Sequence, residues 1–357
     1  MLPWTVAVAC ASATGPMVEL PEDRDTTRVR VLIPEAFELA NIVMSLTNYG
    51  QQNNALIYKS TEYYQRVQSH FGPLRNGDAM RRMQLSASDP IRTYYEYRDN
   101  SAAYGFRDNR IVHGTRYGTF RSPNTFREHL ADLQAFADAS SLRQFYLDNG
   151  SYFAELIARY REIAQVGSMI EWLEREFQKR YDFYTVFFSP LIYGSHSAGN
   201  VRTALGDEVV MFVAGPDVDG GSTLSTAVRH GLVQRILFTE IDHLFVNPVS
   251  ARYRTEIDRA FGDRRRWTTD NSTFYTSATD VFNEYMTWSV FFLFIDGRVP
   301  AQDFDRLLAL SSSVMEGSRG FFRFGDFTRE LLRLWRNRAP GMSVVELFPA
   351  ILRWAGI

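Results

Sequence analysis

Glu240 and His243 stand three residues apart in the segment 235–248, Arg-Ile-Leu-Phe-Thr-Glu-Ile-Asp-His-Leu-Phe-Val-Asn-Pro. Side chains three or four apart share one face of a helix, so both would project into one site. A helix reading His-Glu-x-x-His aims two imidazoles at a zinc ion and uses its glutamate as the general base toward metal-bound water. Here Thr239 stands at the first histidine position. A hydroxyl is a poor zinc ligand beside imidazole. The spacing therefore predicts a site that keeps the base, Glu240, and one ligand, His243, with the other ligand replaced.

Further ligands must come from other segments. Glu284 lies in Val-Phe-Asn-Glu-Tyr-Met-Thr-Trp at 281–288, an otherwise apolar helical stretch. A carboxylate there requires a cation or a hydrogen-bond partner, and either a metal ion or an arginine would serve. His196, in Gly-Ser-His-Ser-Ala-Gly at 194–199, sits in a small-residue loop after a strand, a common place for functional side chains. The candidate metal ligands are thus His243, Glu284 and His196, the candidate metal is zinc, and Glu240 is the candidate catalytic base. Tyr285 and Tyr193 are candidates, by residue type alone, for stabilising an oxyanion. Asp242 points away from Thr239 and is expected to cap or to pair with an arginine. Asp217 and Asp219 alternate as in a calcium loop, but the distant bidentate glutamate is missing, so a turn is expected. The chain has no glycine-rich phosphate loop and no Gly-x-Ser-x-Gly elbow, which removes support for nucleotide and serine-hydrolase chemistry.

These residues need elements to position them. Residues 27–33 alternate as a strand, and Pro34 opens a helix to about 46. A second helix is expected over 60–71, stopped by Gly72 and Pro73, followed by mixed helix and polar loop over 74–122. From 123 the apolar spacing is helical, up to an amphipathic helix at 169–177. Strands are expected at 184–188 and 208–214, a long helix from about 222 to 245 stopped by Asn247-Pro248, and a further helix over 277–295. The remainder is helical. Strand, motif helix, then a helix with an inward glutamate is the element order of a zincin core. The expected fold is α+β and predominantly α-helical, with a small sheet packed on the motif helix. Residues 27–357 form one domain in this reading, with a motif core at about 182–296 and a helical C-terminal part at 297–357.

The 357 residues are 45% hydrophobic and 22% charged, a globular profile with a net charge of -2. No basic face for nucleic acid is evident, and the run 282–295 is too short and too interrupted to span a membrane. The single cysteine, Cys10, excludes an intramolecular disulfide framework and a cysteine-based zinc cluster. Residues 1–26 read as a signal-like or disordered N-terminus. Ala-Val-Ala-Cys at 7–10 loosely matches a lipoprotein cleavage site, so export as a periplasmic, cell-surface or secreted protein is expected, with a cytoplasmic location as the alternative.

Four segments together carry a family likeness: the strand-helix start at 29–41; Tyr63-Tyr64 with His70-Phe71; Ser189-Pro190-Leu191 with Gly194-Ser195-His196; and Glu240-x-x-His243-x-Phe245-Val246-Asn247-Pro248. They resemble the bacterial domain of unknown function family 4932, over most of residues 27–300. The resemblance implies an exported, zincin-like protein of the gluzincin type, with Glu240, His243, Asn247 and Glu284 carried over by motif position. Thr239 departs from the full metal-binding pattern. Two functions follow as expectations: a metal-dependent, peptidase-like hydrolase acting on a peptide or protein, or a catalytically inactive zincin-fold binding module. A purely structural exported domain is a more distant third.

Overall fold

The computed structural model of the protein describes residues 17–85, 88–217, 223–269 and 275–357. Cys10 with its lipoprotein-like context, and Asp219 of the acidic loop, lie outside the described residues. The fold is α+β and predominantly helical with a small sheet. The described chain divides into two compact units where the sequence reads as one domain. A sheet-bearing unit comprises 17–162 and 181–217; a helical unit comprises 163–180 and 223–357. The expected motif core at about 182–296 is shared between them, its strands in one unit and its two helices in the other.

In the sheet-bearing unit the strands are β1 (Val29–Leu32), β2 (Tyr104–Arg107), β3 (Arg110–His113), β4 (Phe183–Ser189), β5 (Ser197–Thr203) and β6 (Gly206–Ala214). The main sheet runs β1-β4-β6-β5, with β1, β4 and β6 parallel and β5 antiparallel to β6. A central parallel strand is covered on both faces, which is why β4 is apolar almost throughout, with Tyr184, Val186, Phe187 and Phe188 all buried. Strand β5 is an edge strand in a stretch expected as loop. Ser-Ala-Gly-Asn-Val-Arg-Thr has little strand propensity, and its backbone is held by β6 through a turn at 204–205. Strands β2 and β3 form a hairpin inside the mixed region, around Asp108 and Asn109, both at positive φ (49° and 62°), the geometry of a tight primed turn.

The helix Glu35–Leu46 buries nearly its whole surface, and Phe37 packs on Phe187 and Phe212 at 5.9 Å between ring centroids in each case. Glu208, fully buried on β6, is held by Arg30 and Arg116 at 2.9 Å each and by the Tyr117 hydroxyl at 2.7 Å. Residues 17–26 are bound to this unit, contrary to the expectation of a disordered tail. Val18 N donates to His113 O at 2.8 Å, and Leu20 packs against Gly105 and Gly114 so closely that a Cβ at either glycine would approach it within 3 Å.

In the helical unit the motif helix spans Thr226–Ser250, with Ser225 as N-cap, and Ala278–Ile295 follows with Ser277 and Asp280 in a capping box. Asn247-Pro248 does not stop the motif helix. Proline removes the N–H that would bond to the carbonyl four residues earlier. That carbonyl, Leu244 O, instead accepts from Lys179 Nζ at 3.2 Å, and the helix continues for two more residues. Gly231 lets Leu307, on the helix Ala301–Ser312, come close: a Cβ would meet its Cδ1 at 2.5 Å. Trp172, Phe238, Phe291 and Phe294 form an aromatic centre, with Phe238 stacked on Phe294 at 5.1 Å. Among the described residues no helix is long and apolar enough to cross a membrane.

Glu38 supplies a test of this packing. It is buried in the first turn of its helix, Oε1 accepts from the Tyr63 hydroxyl at 2.8 Å, and Oε2 has no partner among the described residues. Burial pushes its carboxyl up from 4.5 to about 7, with the Ser189 and Tyr63 hydroxyls offsetting part of the rise. An acid with a raised folded-state pKa holds an extra proton only when folded, so stability falls as pH climbs from 4.5 through 7. Glu38→Gln removes that loss. The variant is expected to gain about 3 kcal/mol over the wild type between pH 4.5 and pH 8, measured by denaturant unfolding. Parallel pH profiles for the two proteins would show that Glu38 is charged in the folded state.

Candidate functional site

The motif helix packs against Ala278–Ile295, and this pair carries Glu240, Asp242 and His243 on one side and Asn283 and Glu284 on the other, all buried. Glu240, Asp242, His243 and Glu284 act on one another electrostatically, together with Arg319. The cation of this cluster is an arginine. Arg319 Nη1 lies 2.7 Å from Glu284 Oε1, and its Nη2 donates to the Tyr275 hydroxyl. Arg319 follows a π-helical turn, Ser313–Ser318, which its N–H closes by donating to Val314 O at 3.0 Å. Its guanidinium also lies 5.0 Å from the ring centre of Trp288.

The charges of the cluster follow from this pairing. Burial works against ionising Glu284, but Arg319 and then His243 outweigh it and hold the carboxyl below its ordinary value. Asp242 is fully buried with neither carboxyl oxygen partnered among the described residues. Burial first, then the charges of Glu240 and Glu284, push its carboxyl well above the usual carboxylate range. Instead of capping or pairing with an arginine, Asp242 faces two other carboxylates. Both ring nitrogens of His243 lack a hydrogen-bond partner among the described residues. Burial lowers its imidazole against the pull of Glu284 and Asn247, which keeps the ring neutral near pH 7.

The other predicted residues are placed differently. The Thr239 hydroxyl donates back to its own helix, to Arg235 O at 2.9 Å and Ile236 O at 3.3 Å, and is not presented as a ligand. His196 belongs to the sheet-bearing unit, just before β5. Its backbone is fixed there: Arg98 Nη1 donates to Ser195 O at 2.6 Å and Nη2 to Ser197 Oγ at 2.9 Å, while the Tyr95 hydroxyl donates to His196 O at 3.4 Å. Tyr285 is committed elsewhere, its hydroxyl donating to Trp267 O at 2.6 Å and accepting from Arg323 N at 3.1 Å. Tyr193 is partly exposed and stacks on Tyr58 at 5.4 Å in the sheet-bearing unit.

A zinc ion would take His243, Glu284 and at least one more ligand. Among the described residues no group of three or more His, Cys, Asp or Glu side chains is arranged to hold a metal ion. Glu284 is engaged by a guanidinium and Thr239 by its own helix. The residues present do not fit the metal.

Two arginines stand beside these groups and are not among the sequence candidates: Arg319 on Glu284, and Arg235, whose guanidinium lies 4.3 Å from the Trp288 ring centre. Arg235 was within reach of the spacing rule, because 235, 239, 243 and 247 form one stripe of a helix. Arg319 was not, since it enters from the segment between two later helices. The Glu284–Arg319 pair has a measurable signature. Arg319→Met leaves a buried carboxylate unpaired and is expected to cost about 3–5 kcal/mol in denaturant unfolding, whereas Arg319→Met with Glu284→Met is expected to lose clearly less than that single change. A double variant as unstable as the sum of its two single variants would show that the residues are not coupled. No protein-family model, no curated protein and no solved structure matches the chain.

Proposed function

We propose that the chain is a binding module on a zincin-like scaffold, in which an arginine occupies the place of a catalytic cation. The observation that carries the reading is the 2.7 Å ion pair between Glu284 and Arg319, at the carboxylate whose motif position is that of a metal ligand. The internal hydrogen bonding of Thr239 at the first-histidine position supports it. Membership of domain of unknown function family 4932, and export from the cell, belong to this same proposal and rest on the residues quoted for them. The site would then recognise a peptide or protein without cleaving it.

A second reading, a metal-dependent hydrolase with Glu240 as base, is favoured by one observation: the His243 imidazole is buried, neutral and without a hydrogen-bond partner among the described residues. It requires Arg319 to leave Glu284.

Metal content separates the two. The purified full chain, exposed to zinc and then dialysed, is expected to retain far less than one zinc per chain by elemental analysis. Stoichiometric zinc that is lost in His243→Ala would overturn the binding-module reading. A Thr239→His, Arg319→Gln double variant is expected to gain a zinc site, because it restores the missing imidazole and frees Glu284. If that variant folds and still takes up no zinc, the zincin-like scaffold is the part of the proposal that fails.

A further inference from the structure

A net charge of -2 hides an uneven surface on the helical unit. Residues 251–267 hold six arginines against three acids, Glu256, Asp258 and Asp263. The last three arginines form a single 3-10 turn, Arg264–Arg266, in which Arg265 and Arg266 are exposed. Trp267 follows, its buried indole stacked on Phe261 at 4.1 Å between ring centroids. The half-buried guanidinium of Arg323 lies 4.4 Å from the ring centre of Trp267 and 5.4 Å from that of the half-buried Trp354. Arg265, Arg266 and Arg323 are in no ion pair among the described residues. Two acids near Arg323 in sequence are engaged: Glu316 accepts from Gly325 N at 2.7 Å, and Asp326 is paired with Arg329 at 2.6 Å.

The segment that carries Arg323 also exposes apolar side chains, Phe322 at 41% and Val314 at 37%. Backbone bonds hold it together and beside the arginine turn. Phe321 N donates to Met315 O at 2.8 Å, and Thr269 N donates to Gly320 O at 2.9 Å. Uncompensated guanidiniums and exposed apolar side chains therefore sit on adjoining segments of one unit. We infer that this face, Arg264–Arg266 and Arg323 with Phe322 and Val314, is a docking surface for an anionic phospholipid membrane. A membrane surface offers both kinds of partner at adjacent depths: phosphates for the guanidiniums and hydrocarbon for the apolar side chains. A nucleic acid offers phosphates but no hydrocarbon layer, and an acidic protein segment offers carboxylates alone. Stacking on two indoles limits the freedom that Arg323 loses on meeting a phosphate. Attachment of this kind is peripheral and separate from the buried groups around Glu284.

The test is co-sedimentation of the full chain with vesicles of phosphatidylcholine alone and of phosphatidylcholine mixed equally with phosphatidylglycerol, at low and high salt. Binding to the mixed vesicles is expected to be about tenfold or more tighter than to phosphatidylcholine, and to weaken as salt is raised. Replacing two exposed arginines, Arg265→Gln with Arg266→Gln, is expected to weaken binding to mixed vesicles by roughly tenfold or more. Phe322→Ser is expected to weaken it about fivefold. Polyuridylate and polyglutamate serve as soluble polyanions, and both are expected to bind more weakly than the mixed vesicles. The inference is overturned if mixed vesicles do not bind at millimolar lipid, if the two compositions bind alike, or if either folded variant binds unchanged. It is also overturned if a soluble polyanion binds more tightly than the mixed vesicles, which would assign the surface to a nucleic acid or an acidic protein. The comparison of vesicles and polyanions uses the wild type and decides even if a variant misfolds. The zinc measurement is untouched by either outcome.

Discussion

The helical unit is organised around one obligation: a carboxylate, Glu284, sits inside an apolar helix with about 1% of its surface exposed. Nearly every other residue of Ala278–Ile295 is buried too, so water cannot stabilise that charge. Arg319 meets the obligation, and the state of the surrounding groups depends on it. One guanidinium neutralises one carboxylate. Burial and two neighbouring carboxylates push the Asp242 carboxyl well above the usual carboxylate range, and burial lowers the His243 imidazole.

A divalent metal and a guanidinium solve this problem in different ways. A metal would draw several ligands into one coordination shell and would hold each of them deprotonated. A guanidinium is planar and directional, satisfies carboxylates at its edges, and uses its faces for aromatic contact. The surroundings of Arg319 suit the second case: Glu284 Oε1 lies 2.7 Å from Nη1, the Tyr275 hydroxyl accepts from Nη2, and the rings of Trp288, Phe321 and Tyr275 lie within 5.0–5.7 Å. A threonine at 239 whose hydroxyl bonds to its own helix and an arginine on Glu284 are physically consistent with each other. Without Arg319, Glu284 would be an unpaired buried charge, which is more costly than a satisfied ion pair.

The sequence made the local part of this legible and not the rest. Alternation and apolar runs located β4 and β6, and Ser277 marked the start of the Glu284 helix, because capping and periodicity act within a few residues. Strand β5 escaped because its pairing is supplied by β6 and not by its own side chains. The end of the motif helix was misjudged because the effect of Pro248 is relieved by Lys179, far away in sequence. The same limit governs the site. Glu240 and His243 follow from helical spacing, and the need of Glu284 for a cation follows from its apolar neighbours. Which cation answers that need is a matter of tertiary structure, decided by a π-turn near residue 316.

One face of the motif helix carries Arg235, Thr239, His243 and Asn247. Four positions, each one turn apart, point to the same side whatever residues fill them. With an imidazole at 239 the middle of the stripe would be a metal-ligand pair. With threonine there, whose hydroxyl turns back to its own helix, the middle keeps one imidazole, His243, and the first position carries a guanidinium on an indole. Trp288 stands one turn beyond Glu284 on the neighbouring helix, so the ring that orients Arg235 and the carboxylate that engages Arg319 are set by the same backbone. The two arginines are therefore not independent: both guanidiniums lie against the Trp288 ring, 4.3 and 5.0 Å from its centre, and the charge of Arg319 acts on Arg235.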